Sequence, residues 1–245
     1  MGTDLLQKLG SKEITKAQLY NKVESDFGLL PELLKGTSST KATVRYGCGS
    51  VLVDLSEKHP EKLYPYMGSF IGLLACKHRI LTWNAMAIIA NLTKVDIDCK
   101  FDAIFDKYYS YLSNEYMVTV SNIVVNSAKI GSAKPYLADR IASELLKVQD
   151  LEVTPHLTEE CKLVVAEQAI KTFDAFFNHI EAKRQVVAFA QKYLNSSRIS
   201  LRNEAQSLLK ILDKDANLGC SIPCLAIFPF CQYFFSTESG SAKIE

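Results

Sequence analysis

Two short stretches carry residue types able to do chemistry. "HLTEEC", His156–Cys161, puts a histidine, two carboxylates and a thiol within six residues. The zinc motif His-x-x-Glu-His needs a second imidazole where this chain has Glu160. A helix start accounts for the same letters. Thr154 before Pro155, or Thr158 before Glu159 and Glu160, supplies an N-cap and acidic first-turn residues that complement the helix dipole. "CKHR", Cys76–Arg79, gathers three basic side chains at an expected turn. Lys77, His78 and Arg79 have the charge to grip a phosphate, and they also suit a helix end electrostatically. The glycines of "GCG", Gly47 and Gly49, fall in mid-helix, where they permit close helix approach rather than form a phosphate loop. His59, His78, His156 and His179 lie far apart, and the seven cysteines follow no metal-ligand spacing. We therefore expect no catalytic residue, no metal site, no cofactor and no small-molecule substrate.

The bulk numbers narrow the partners. The 245 residues are 48% hydrophobic and 22% charged, an ordinary globular balance that excludes disorder throughout. A net charge of +1 gives no global attraction to nucleic acid, leaving only a local basic patch for that purpose. Cysteines without a framework, and an N-terminal stretch "MGTDLLQKLGSKEITK" without an apolar core, lead us to expect reduced thiols and a cytoplasmic location. Gly2 follows the initiator Met, but Leu6 stands where myristoylation wants Ser or Thr, so no lipid anchor is expected there.

The elements that must position these residues are repeated. "VRYGCGSVLVDL" at Val44–Leu55 returns in shape as "LTWNAMAIIANL" at Leu81–Leu92 and "LRNEAQSLLKIL" at Leu201–Leu212. With the small residues Cys48, Ala85, Ser121, Ala169 and Ala205 in register, the separations are 37, 36, 48 and 36 residues. Positions four before, four after and seven after are all apolar, which is one stripe of an α-helix. A small side chain at its centre lets another helix approach to about 8 Å. Further helices precede the blocks in "GLLPELLKG", "PYMGSFIGLLACK", "FDAIFDKYYSYLS" and "RQVVAFAQKYLNSS". Each pair of about 36 residues is too small to bury its own faces, so the pairs are expected to stack in a row.

Here the residues resemble a family. "LLPELLKGTSSTKATVRYGCGSVLVDL" and "YLNSSRISLRNEAQSLLKIL" are similar to HEAT repeats, with Val44-Arg45 and Cys48, and Leu201-Arg202 and Ala205, on the consensus second helix. The resemblance covers roughly residues 28–213 and implies an all-α fold, a right-handed α-α superhelix of about five HEAT-like helix pairs. It also implies that the second helices line a concave surface. A nucleic-acid enzyme class with this architecture, the alkylpurine DNA glycosylases, needs a basic groove with aromatics and an acidic catalytic residue. Nothing assembles that set around Trp83, the single tryptophan.

Three segments leave the period. Residues 1–27 read as an N-terminal capping helix carrying Ile14, Leu19 and Val23. "LKVQDLEVTPHLTEE", Leu146–Glu160, holds the extra residues of the long interval, as a partner-contacting loop or a longer connection. Residues 214–245 form an apolar, off-period C-terminal tail, without charge from Ala216 through Thr237. Its run at 218–235 suggests membrane attachment, as a tail anchor or through acylation of Cys220, Cys224 or Cys231. Pro223 and Pro229 argue for a tail docked on the repeats or simply unpaired.

On the expected exposed face of the second helices stand Tyr46, Trp83, Thr119, Glu167 and Asn203. Tyr46 and Trp83, one repeat apart with Arg45 beside them, are the candidate aromatic ladder for a protein or peptide partner. Their other role would be ordinary packing between repeats. The function expected is a non-enzymatic scaffold or adaptor, with a glycosylase-like nucleic-acid protein and a membrane-attached adaptor as alternatives.

Overall fold

The computed structural model describes residues 2–217, and side chains from residue 5 to residue 210. Within them every named element is helical. Two helices, α1 (Gly2–Gly10) and α2 (Lys16–Ser25), open the chain where a single capping helix was expected. The break falls at Lys12, which takes a left-handed φ of 64°. α2 then starts on a reciprocal capping box: the Gln18 amide donates to Thr15 Oγ1, and the Thr15 amide donates to Gln18 Oε1. Both helices pack on α4 through Leu5, Leu9, Leu19 and Val23, closing the apolar end of the row.

Five pairs follow. They are α3 (Leu30–Gly36) with α4 (Ala42–Lys58), the broken rod α5 (Pro60–Leu63) and α6 (Met67–Leu73) with α7 (Arg79–Leu92), and α8 (Phe105–Tyr109) with α9 (Met117–Ala133). Then come α10 (Ala138–Leu146) with α11 (Glu159–Phe176), and α12 (Lys183–Gln191) with α13 (Ile199–Asn217). Prolines open or interrupt three of the first helices: Pro31, Pro60 with Pro65, and Pro135 each stand at the start of a helical or 3₁₀ segment. Second helices are long and pack in sequence, α4 on α7, α7 on α9, α9 on α11, α11 on α13. One continuous core runs along them.

Close approach needs small side chains at the crossings, as expected. Cys48, Ala85, Ala169 and Ala205 are buried. A methyl placed on Gly49 would stand 2.5 Å from Asn84 Nδ2 and 2.8 Å from Leu81 Cδ2, so α4 and α7 meet across that glycine. The third block departs from the expected register. Ser121 is only half-buried and Val125 is 50% exposed. The line that faces the core is Val120, Ile123, Val124, Ser127 and Ile130. α9 offers apolar residues on nearly every face, so polar pairing settles the choice: Ser127 Oγ shares a hydrogen bond with Tyr109 Oη at 3.0 Å, and Thr172 Oγ1 donates to the Val124 carbonyl at 3.0 Å. The helix α10 also corrects the sequence reading, which left the Ala169 block without a first helix.

A buried ion pair ties the second pair to the third. Lys134 Nζ lies 3.0 Å from Asp96 Oδ2, with side chains 4% and 0% exposed, and 2.9 Å from Asp102 Oδ2. Asp96 also accepts from Tyr64 Oη and from the Lys100 and Phe101 amides. Burial pushes its carboxyl up, but these donors outweigh burial and hold it below the usual range. The Asp96 clamp fixes the loop in which Cys99 takes a φ of 52°.

Candidate functional site

The turn before α7 is fixed by its own atoms. The Cys76 thiol donates to the His78 carbonyl at 3.3 Å, and the Leu81 and Thr82 amides donate to the same carbonyl as the helix begins. Lys77 and Arg79 therefore project from the start of α7 into solvent, with His78 half-buried between them. One repeat earlier, Arg45 is anchored by hydrogen bonds from Nη1 to the Ser39 and Thr40 carbonyls, at 2.8 and 3.3 Å. Its guanidinium stacks 4.7 Å from the centre of the Tyr46 ring.

One repeat later, the inserted segment docks on the start of α9. Thr154 Oγ1 donates to the Glu115 carbonyl at 2.7 Å, and the Met117 amide donates to the His156 carbonyl at 3.2 Å. This brings the His156 ring flat on Tyr116, centroids 4.5 Å apart and planes 19° apart. Arg79 covers the same Tyr116 ring at 3.9 Å. Thr158, rather than Thr154, caps α11, accepting from the Cys161 amide.

These residues close a cleft of about 690 Å³ along the N-terminal ends of the second helices. Tyr46, Trp83 and Tyr116 supply one ring from each of three consecutive pairs. His78 stands edge-on to Tyr46 at 6.3 Å, and Lys77 and Arg79 flank the rim. Ile80 and Val118, 43% and 46% exposed, lay apolar side chains in the same cleft. Among the described residues no carboxylate lines it. Burial, then the charges of Arg45 and Lys77, press the His78 pKa down, so the imidazole is neutral at pH 7.

The structure thus brings Tyr46 and Trp83 to one surface, with Arg45 behind Tyr46. Trp83 also joins two repeats, its Nε1 donating to Thr119 Oγ1 at 3.0 Å. Much of the rest of the expected exposed face is corrected. Thr119 and Glu167 are buried, because neighbouring second helices cover them; Asn203 is exposed at the last pair. Sequence reasoning missed Tyr116 and His156 as site residues. The signal available was position: His78 and Tyr116 are the residues immediately before consecutive second helices, in extended backbone conformation.

The other candidate chemistry disperses. Within "HLTEEC", His156 stacks on Tyr116, Glu160 pairs with Arg198 at 2.8 Å, and Cys161 Sγ lies against the Thr158 hydroxyl. Burial, with the Glu32 charge adding to it, pushes the Cys48 thiol up to about 12, so it packs as a protonated core residue. Among the described residues no group of three or more His, Cys, Asp or Glu could hold a metal ion. No helix among them is long and apolar enough to cross a membrane. Cys220, Cys224 and Cys231, with the anchor expected at 218–235, lie outside the described residues.

A second cleft, of about 810 Å³, lies across the inserted segment. Glu115 and Thr154 line it, whereas their neighbours Tyr116 and His156 face the aromatic cleft. Its character is opposite: Asp106, Glu144, Asp150 and Glu152 join Glu115, against Lys147 alone.

Solved structures place this geometry. A designed armadillo repeat protein, YIII(Dq)4CqI, superposes with a TM-score of 0.54 over 86% of this chain and 92% of its own, at 16% identity. A second engineered protein, known from a crystal structure, gives 0.50 over 87% and 89%, at 17% identity. The chain is an armadillo- and HEAT-like α-solenoid. At such identities the likeness concerns the fold alone. No protein-family model matches the solenoid's sequence, and no curated protein matches it either.

Proposed function

We propose that this solenoid is a non-enzymatic, cytoplasmic scaffold that holds a protein partner in the cleft of Tyr46, Trp83 and Tyr116. The observation that carries the reading is the pairing, in that one cleft, of three half-buried rings with the exposed Ile80 and Val118 and the rim cations. Aromatic anchors with arginine nearby form the usual energetic centres of interfaces, and grouped exposed apolar side chains mark partner surfaces. Helical-repeat folds offer such surfaces without needing a reaction. The cleft lies at the ends of the second helices, so the proposed partner would meet their rim rather than run along their length.

A glycosylase-like reading needs a carboxylate within a cationic groove, and this lining contains none. A membrane-attached adaptor rests on residues 218–235 and draws no support from the described ones.

Quantitative affinity capture tests the proposal. Wild-type chain and an Ile80→Ser/Val118→Ser variant serve as baits in cell lysate, after matched thermal unfolding. Both side chains are already nearly half exposed, so the fold should tolerate the changes. A defined set of proteins held by the wild type and lost from the variant is expected; identical capture by both contradicts the proposal.

A further inference from the structure

The two clefts differ in charge in a way that selects the occupant. At neutral pH the aromatic cleft presents Lys77 and Arg79 at its rim and Arg45 behind Tyr46, with no carboxylate in its lining. Among the described residues none of the three makes an ion pair with Asp or Glu, unlike Lys100, Lys129, Arg140 and Arg198 elsewhere on the surface. Arg79 and Arg45 instead rest on the Tyr116 and Tyr46 rings, which hold the guanidinium groups in place without neutralising them. Across the inserted segment, five carboxylates face a single lysine. An anion approaching this region is repelled by one cleft and drawn to the other.

Spacing adds a second constraint. The rings come from three consecutive pairs, and packed helices lie about 8–10 Å apart, so the three rungs span about 16–20 Å. A polyproline II chain advances about 3.1 Å per residue with three residues per turn, so every third side chain returns to the same face about 9 Å further on, at the next rung.

We infer that the occupant of the Tyr46–Trp83–Tyr116 cleft is an acidic peptide segment of about seven residues in the polyproline II conformation, with an apolar side chain at every third position and Asp or Glu between. This rests on the proposed interaction surface and deepens it. The apolar positions meet the rings, Ile80 and Val118, and the intervening carboxylates meet Lys77 and Arg79.

A random dodecapeptide display library tests the inference without presupposing a sequence. The baits are the wild-type chain, a Lys77→Glu/Arg79→Glu variant and a mock surface. A fluorescein-labelled twelve-nucleotide single strand is titrated in parallel at physiological salt. The wild type should enrich peptides rich in Asp and Glu with Leu, Phe or Pro at intervals of three. The charge-reversal variant should bind the selected peptides at least tenfold more weakly, with unchanged melting. Enrichment of neutral or basic peptides, or none above the mock surface, overturns the inference. So does tighter binding of the oligonucleotide than of any selected peptide, which would assign the cleft to nucleic acid. Neutral peptides whose binding is lost in Ile80→Ser/Val118→Ser would sink the acidic occupant and leave the interaction surface standing.

Discussion

Trp83 Nε1 donates to Thr119 Oγ1 at 3.0 Å, across 36 residues of sequence and one step of the solenoid. The one tryptophan is therefore both a rung of the cleft and a strut between α7 and α9. Of the two roles weighed from sequence, inter-repeat packing is present in this side chain, and partner anchoring is the role proposed for it. Truncation to alanine would mix them. Thr119→Val separates them, because it removes only the buried acceptor. It should cost about 1 kcal/mol in urea unfolding. In a Trp83→Phe background the same change should cost close to nothing, since the donor has gone.

The Asp96–Lys134 pair gives the largest single effect expected. Asp96→Asn leaves the Lys134 ammonium buried, with only the partly exposed Asp102 opposite, and should destabilise by about 3–5 kcal/mol. Replacing both partners, Asp96→Asn with Lys134→Met, should recover part of that loss, because no ammonium is left buried and the amide oxygen can still accept from Tyr64 Oη and the Lys100 amide. Chemical denaturation of the two variants decides.

Gly131 marks the crossing of α9 and α11. A Cβ there would stand 2.6 Å from two carbons of the Phe176 ring. Alanine normally favours a helix over glycine by about 1 kcal/mol. Here overpacking should win, at about 1–3 kcal/mol. Gly131→Ala should therefore lower the melting temperature, and Phe176→Leu in that background should restore part of it.

Acid should loosen the last two pairs. Burial pushes the Glu167 carboxyl up, but hydrogen bonds from Lys171, Ser200 and Arg198 outweigh it and bring its pKa to about 2. A depressed carboxyl contributes stability that is fully present above its ordinary value near 4.5 and is lost as pH falls towards 2. The stability gap between wild type and Glu167→Gln should be wide at pH 7 and close between those two values. A gap independent of pH would mean that the charge is not what matters.

The fold was readable because the apolar stripe repeats and because Cys48, Ala85, Ala169 and Ala205 occupy its centre. It blurred at α9, where Val124 and Val125 are equally apolar and only the hydrogen bonds of Ser127 and Thr172 distinguish the buried face. Tyr46 and Trp83 were legible as candidates from their place opposite that stripe, and Arg45 as the arginine beside them. Tyr116 and His156 were not. Their juxtaposition depends on a bond from Thr154 to the Glu115 carbonyl, 39 residues back, which no local periodicity records. "CKHR" was readable as a basic turn, but not as the rim of a cleft whose far wall comes from the inserted segment.

Site-specific photocrosslinking tests the central claim most directly. A photoreactive side chain is placed in living cells at Ile80, at Val118, or at the exposed Val153 and Tyr136 outside the cleft. The account predicts one discrete protein adduct from Ile80 and Val118, and none of that size from Val153 or Tyr136. Equal adducts from all four positions, or none from the cleft, would contradict it.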